Sequence, residues 1–283
     1  MPKVYTLLSP DKSSIIQINS QGAQILSYRI NDKKIFHEDV LNPRRCGMPI
    51  LFPFAGPLKN NRLTLTGTKL TQHGFGRDIE WQVYQIVEKE DFNVISFAIS
   101  NAELPSIWQN NYPFPFILMV HYYLSNDGLD TDLIVMNPLQ EDLQVPVKPG
   151  FHPYFEIPKK AKSKIKVSKG QEQLKNIDWS TDFPAEFIDV NDGKIDFEFN
   201  NLKFTTSTTH RIYKLSQEHN ETIMDLNEKT VIWSQPDADF VCIEPFSGPF
   251  DSINYNPILV QKGQGYQFRY RLRIEEKKIK SKA

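Results

Sequence analysis

The chain has 283 residues, with 33 Lys+Arg against 34 Asp+Glu for a formal net charge of -1, and is 40% hydrophobic and 24% charged. That balance argues against a nucleic-acid binder, which needs a basic excess to neutralise phosphates. It fits a globular protein able to bury roughly three-quarters of its extended-chain surface, and the length suits one large all-β unit spanning residues 1–283.

In chain order, the pattern reads as strands almost throughout. Ser14–Asn19, Gln24–Ile30, Trp81–Glu88, Val94–Ile99, Phe116–Leu124 and Leu129–Met136 are short runs rich in β-branched and aromatic residues. Turn residues separate them at Asn31-Asp32, Asn126-Asp127-Gly128 and Asn191-Asp192-Gly193. The second of these, between two alternating runs, predicts a hairpin. Nineteen prolines spread along the chain leave little room for long helices. There is no repeat at a solenoid or propeller period and no low-complexity linker. The expected fold is an all-β antiparallel sandwich, closing in a frayed basic tail over about 275–283.

The two cysteines, Cys46 and Cys242, are far apart and each lies in an apolar run. They read as buried free thiols, since neither has the neighbours or spacing of a disulfide or zinc site. The N-terminus carries no signal-peptide apolar region. The longest apolar stretch, near Phe114–Val120, is far below the ~20 residues that span a bilayer. The expected setting is cytoplasmic, with neither membrane nor nucleic acid as a partner.

Three segments break the strand rhythm. Gly47–Phe54 is apolar but holds Pro49 and Pro53, which cannot donate ladder hydrogen bonds, so it is no ordinary central strand. Gln72–Asp78 reads QHGFGRD, and Gly150–Phe155 places His152 directly before Pro153, biasing it to an extended backbone. Val241–Pro249 puts Glu244 at the end of an apolar strand beside Cys242, Ile243 and Phe246. Desolvation there raises a carboxyl pKa and suits a general base working near neutrality. Each residue also has a plainer reading: His73 as a turn histidine, His152 as a core histidine, Glu244 as an ion-pair partner.

Taken together, Gly47–Pro53, Asn61-Arg62, His73–Asp78, Asn111–Phe116, His152–Phe155, Trp233 and Cys242–Phe246 resemble the aldose 1-epimerase (galactose mutarotase-like) family across residues 10–275. The likeness is closest to the small bacterial LacX-like branch. It implies a large twisted β-sandwich with a sugar cleft on one face and no metal or organic cofactor. It also implies roles: Glu244 as base, His152 as acid, and His73 hydrogen-bonding the ring oxygen or a neighbouring hydroxyl. Arg77 would orient the sugar, with Phe75, Tyr154 and Phe246 against its apolar face or in the core. One family feature lacks a match, the aspartate that binds sugar hydroxyls. Asp178, Asp182 and Asp189 are candidates, and His210 stands where a related branch has its aspartate.

The reaction so implied is interconversion of α and β anomers of a hexose, which needs one base and one acid near the ring. An alternative substrate is a hexose 6-phosphate, because Arg44, Arg45, Lys59, Arg62 and Arg77 cluster in sequence and guanidinium forks suit phosphate. Several of these could equally be solvated or paired with Asp78 and Glu80. A second alternative is a non-catalytic carbohydrate-binding sandwich, against which the joint presence of an acid and a base argues. The expected partner is a small sugar or sugar phosphate, and the expected state a monomer or homodimer.

Overall fold

The computed structural model describes residues 2–277 apart from 139–141, 171, 175, 176, 178, 180–185, 190–193, 217–220 and 225–227. The fold is all-β, and among the described residues the one α-helix is the short segment Ser106–Asn111. Among the described residues no helix is long and apolar enough to cross a membrane.

The early strands form where alternation predicts. Val4–Leu8, Ser14–Asn19, Gln24–Ile30 and Lys33–Lys34 make a four-stranded antiparallel sheet. Its last hairpin pairs Ile30 with Lys33 across Asn31 and Asp32, both at positive φ (45° and 64°), the backbone that a tight two-residue turn requires. A ten-stranded antiparallel sheet follows, built around Leu202–Lys214, Gln264–Glu276, Gly128–Met136, Ile117–Ser125 and Phe92–Ser100. Here Ser125 pairs with Gly128, so Asn126-Asp127 is the predicted hairpin turn. The strand expected over Trp81–Glu88 runs Gln82–Glu88, because Trp81 turns into the core and donates its indole N–H to the Gly76 carbonyl at 2.9 Å. The turn expected at Asn191-Asp192-Gly193 lies outside the described residues.

A six-stranded sheet carries the segments that broke the rhythm. Its order is Glu186–Asp189, Lys229–Trp233, Phe240–Phe246, Gly150–Phe151 and Ile50–Leu51, with Tyr154–Glu156 also paired to Phe240–Phe246. Proline limits the Gly47–Phe54 stretch to the two strand residues Ile50 and Leu51. This sheet stacks on the large one through Phe151 against Phe268 (5.2 Å between ring centroids) and Phe155 against Phe197 (4.7 Å). Such aromatic pairs dominate the burial that holds a sandwich closed. At the C-terminus, Glu275 and Glu276 continue the last strand, and Lys277 N–H donates to the Asn201 carbonyl. The rest of the expected tail, 278–283, lies outside the described residues.

Candidate active site

The strand Phe240–Phe246 is buried along its whole length. Alternation turns Cys242, Glu244 and Phe246 to one face, and register sets Val231 opposite Glu244 and Trp233 opposite Cys242. The adjoining chain, Gly150–Glu156, pairs Gly150 with Phe246 and Tyr154 with Cys242, which leaves His152 between them beside Glu244. His152, Tyr154, Val231, Trp233, Glu244 and Phe246 wall a cleft of about 540 Å³. Its other side comes from loops: Asn42, Arg44 and Arg45, then Gln72, His73 and Arg77, with Pro57 and Phe250 at the rim.

His73 reaches the cleft from a strained turn. Its φ is 70°, a left-handed conformation uncommon outside glycine. The next residue must be glycine: Gly74 has φ 67°, and a Cβ there would lie 2.2 Å from the Phe52 carbonyl oxygen. The imidazole is then fixed by backbone. Gly56 N–H donates to His73 Nδ1 at 2.9 Å. With Nδ1 committed as acceptor, the neutral ring carries its proton on Nε2, 3.1 Å from the Gln72 side-chain amide, which accepts that proton when it turns its oxygen toward the ring. Burial, reinforced by His152 and Arg77, holds the His73 pKa well below the ordinary range. His73 is therefore a neutral donor through Nε2.

His152 donates its backbone N–H to the Pro49 carbonyl at 3.1 Å. Its ring stacks on Tyr154 (4.4 Å, 4° between planes) and meets His73 edge-on at 5.4 Å. Nε2 lies 3.3 Å from Glu244 Oε2 and 3.4 Å from the Tyr154 hydroxyl. Burial, then the Arg77 charge, pushes the His152 pKa down to about 3. Burial pushes Glu244 well above the ordinary carboxylate range, against a lowering pull from Arg77. Both shifts favour uncharged partners, so the resting pair is a carboxylic acid beside a neutral imidazole, holding one proton between them. Burial thus disfavours a charged His152 ring at rest.

Arg77 lines the cleft and donates from Nη2 to the Gln72 carbonyl at 3.2 Å, while its buried Nε has no hydrogen-bond partner among the described residues. Arg44 pairs with Asp78 at 2.5 Å, as the plainer reading of the arginine cluster expected. Two expected binding residues are elsewhere. Arg62 is exposed outside the cleft, its guanidinium bound to the Gly67 carbonyl, because the short hairpin that carries it closes on itself. Phe75 is fully buried and stacks on Trp108 at 5.1 Å, with Phe52 and Tyr112 at its edges. It is a core residue because its backbone N–H is tied to the Phe52 carbonyl, turning the ring inward. Tyr154 and Phe246 do line the cleft.

No aspartate lines the cleft among the described residues. Asp178 and Asp182 lie outside those residues, as does the Asp189 side chain. His210 is a core residue, stacked on Phe268 at 4.3 Å, with Nδ1 2.6 Å from the Tyr266 hydroxyl and Nε2 2.8 Å from Glu228. Sequence reasoning missed Asn42, Gln72, Pro57, Val231 and Phe250. Gln72, adjoining the His-Gly pair, carried the one usable signal. The thiols read as buried and free are so: Cys46 and Cys242.

The aldose 1-epimerase family model matches residues 3–273. Among solved structures, the Slr1438 protein of Synechocystis sp. PCC 6803 is 21% identical with a TM-score of 0.77, covering 98% of this chain and 97% of its own. A galactose mutarotase related enzyme of Lactobacillus acidophilus is 22% identical (TM-score 0.71; 98% and 100% covered). A galactose 1-epimerase of Lactobacillus acidophilus NCFM is 10% identical at the same TM-score of 0.71 and coverage of 98% and 100%. At these identities the likeness is one of fold. No curated protein matches the sequence.

Proposed function

The chain belongs to the aldose 1-epimerase family, and on that premise we propose that its cleft interconverts the anomers of a hexose by opening and reclosing the ring. Family membership supports a carbohydrate epimerase; the observation that carries the finer reading is the buried pair of Glu244 Oε2 and His152 Nε2 at 3.3 Å.

One shared proton is enough. In the ion-pair form, Glu244 takes the proton from the C1 hydroxyl while His152 gives its proton to the ring oxygen. The C1–O5 bond breaks, leaving the aldehyde and a neutral Glu244–His152 pair. After rotation about C1–C2, Glu244 returns a proton to the aldehyde oxygen as His152 removes one from the C5 hydroxyl, and the other anomer closes. Opening thus regenerates the neutral pair that burial favours, and the cost of first forming the ion pair is part of the barrier. His73, a fixed neutral donor, holds the ring oxygen or an adjacent hydroxyl without joining the proton exchange. Tyr154 and Phe246 offer apolar surface to the pyranose.

A second reading concerns substrate charge. Arg77 and Arg45 face a cleft whose lining, among the described residues, holds no carboxylate besides the buried Glu244. That favours a sugar bearing an anionic group such as a 6-phosphate. The chain is read as one domain acting on small sugars in the cytoplasm. The test is polarimetric or NMR anomer exchange with fresh glucose, galactose and their 6-phosphates. Binding without accelerated exchange would instead identify a carbohydrate-binding sandwich.

A further inference from the structure

The proposed reaction leaves the Cys242 thiol unused. It lies fully buried beneath the acid/base pair, on the same strand face as Glu244. One ligand atom each from His152, Cys242 and Glu244 lie within 4.8 Å of one another. Sequence spacing alone hid this group. Cys242 and Glu244 are two apart on one strand, while His152 arrives from a chain segment 90 residues earlier through the Tyr154–Cys242 pairing.

We propose that His152, Cys242 and Glu244 form a binding site for a thiophilic divalent cation such as zinc, which on binding captures the acid/base pair and stops turnover. The donor set is one thiolate, one imidazole and one carboxylate, a combination that suits zinc and not magnesium or calcium. Bond lengths near 2.0–2.3 Å place tetrahedral ligands about 3.3–3.7 Å apart. Glu244 Oε2 and His152 Nε2, at 3.3 Å, already have that spacing, and the sulfur, within 4.8 Å of both, has to approach by up to about 1 Å. His152 and Glu244 also line the cleft, which leaves the fourth position open to solvent or sugar.

Two features make the site reversible rather than structural. Coordination expels the thiol and carboxyl protons to water. Arg45, Arg77 and Lys162 also set positive charge near the three ligands, opposing a cation that the thiolate and carboxylate attract.

Cobalt(II) is the probe, titrated into the purified full chain. The expected result is a thiolate-to-cobalt charge-transfer band with the strong visible absorption of tetrahedral cobalt, both removed by added zinc. Cys242→Ser should abolish the charge-transfer band, and Cys46→Ser should retain it. Zinc should suppress sugar turnover, EDTA should restore it, and Cys242→Ser should need more than about 10-fold more zinc, since even a partner outside the ligand shell is worth 10- to 100-fold in affinity. No band in the unaltered protein, a band that survives Cys242→Ser, or one lost in Cys46→Ser would overturn the site. If Cys242→Ser fails to fold, the unaltered protein and Cys46→Ser still decide. The inhibition arm rests on the epimerase reading and the cobalt arm does not. Cobalt bound as described to a protein without turnover would refute the epimerase alone.

Discussion

A neutral resting pair makes a specific prediction for the pH profile. An ordinary histidine titrates near 6.5, and an acid of that kind would be about 9% charged at pH 7.5 and lose tenfold in rate per further unit. His152 is instead held at about 3, a displacement that corresponds to about 5 kcal/mol against the charged ring. Glu244 moves the other way, well above its ordinary value. Between those two limits the pair keeps one proton, and the ion-pair and neutral forms are tautomers whose ratio does not change with pH. The acid limb thus belongs to a second proton arriving on His152, and the alkaline limb to loss of the shared proton from the Glu244 side. Polarimetric kcat, corrected for buffer-catalysed exchange, should pass through pH 6.5 with no inflection there. A fall of roughly fivefold between pH 6.5 and 7.5, with the titration of His152 followed by NMR over the same range, would refute the shared-proton scheme.

Other perturbations probe separate parts of the structure. Glu244→Gln should lower kcat by about 10²–10⁴-fold while sugar affinity, by titration calorimetry, changes little, because the amide still hydrogen-bonds a hydroxyl. Arg77→Ala should weaken a 6-phosphate by about 10- to 150-fold more than the free sugar, whereas Arg62→Ala should leave both unchanged in the same KM comparison. Lys148 is buried with one acceptor, the Ser247 carbonyl at 3.2 Å, and burial lowers its pKa to about 8 from 10.5. That shift costs about 3 kcal/mol while the amine is charged in both states. Between pH 8 and 10.5 the unfolded chain keeps a proton the folded one has lost, so stability rises with pH. Lys148→Met should gain about 1–2 kcal/mol in urea melts at pH 7, net of the lost hydrogen bond, and should erase that alkaline rise.

Much of this was legible in the sequence where one physical cause dominates. Ser14–Asn19 and Gln24–Ile30 form with the expected bounds because alternating burial specifies strand and register at once. Glu244 and His152 were visible because a carboxylate ending an apolar strand and a histidine before proline are unusual placements. Phe75 misled because an aromatic in a glycine-rich turn serves a sugar or a core equally well, and only the Phe52 carbonyl contact decides the direction. Arg62 misled because nearness in sequence to a cleft residue says nothing about which side of a hairpin it occupies. Asn42 was illegible since the wall it shares with Gln72 exists only once two loops thirty residues apart have met. Cys242 was read correctly as buried, but its partners come from strand pairing, which spacing cannot display.

The two cleft histidines show why position, and not residue type, assigns a chemical role. Their rings are 5.4 Å apart, both buried and both held below the ordinary imidazole pKa. His73 has Nδ1 occupied by a backbone N–H, so charging it would place a proton against an existing donor. It can only offer Nε2–H, a constant hydrogen bond that suits an oxygen changing charge through the reaction. His152 Nε2 faces a carboxyl group, so a proton can cross to it without changing the net charge of the cleft. Burial penalises a new net charge far more than a transfer within a pair. On the proposed reaction, His152 is therefore the histidine that takes and returns a proton, and Arg77 beside both rings biases them further against gaining one from solvent.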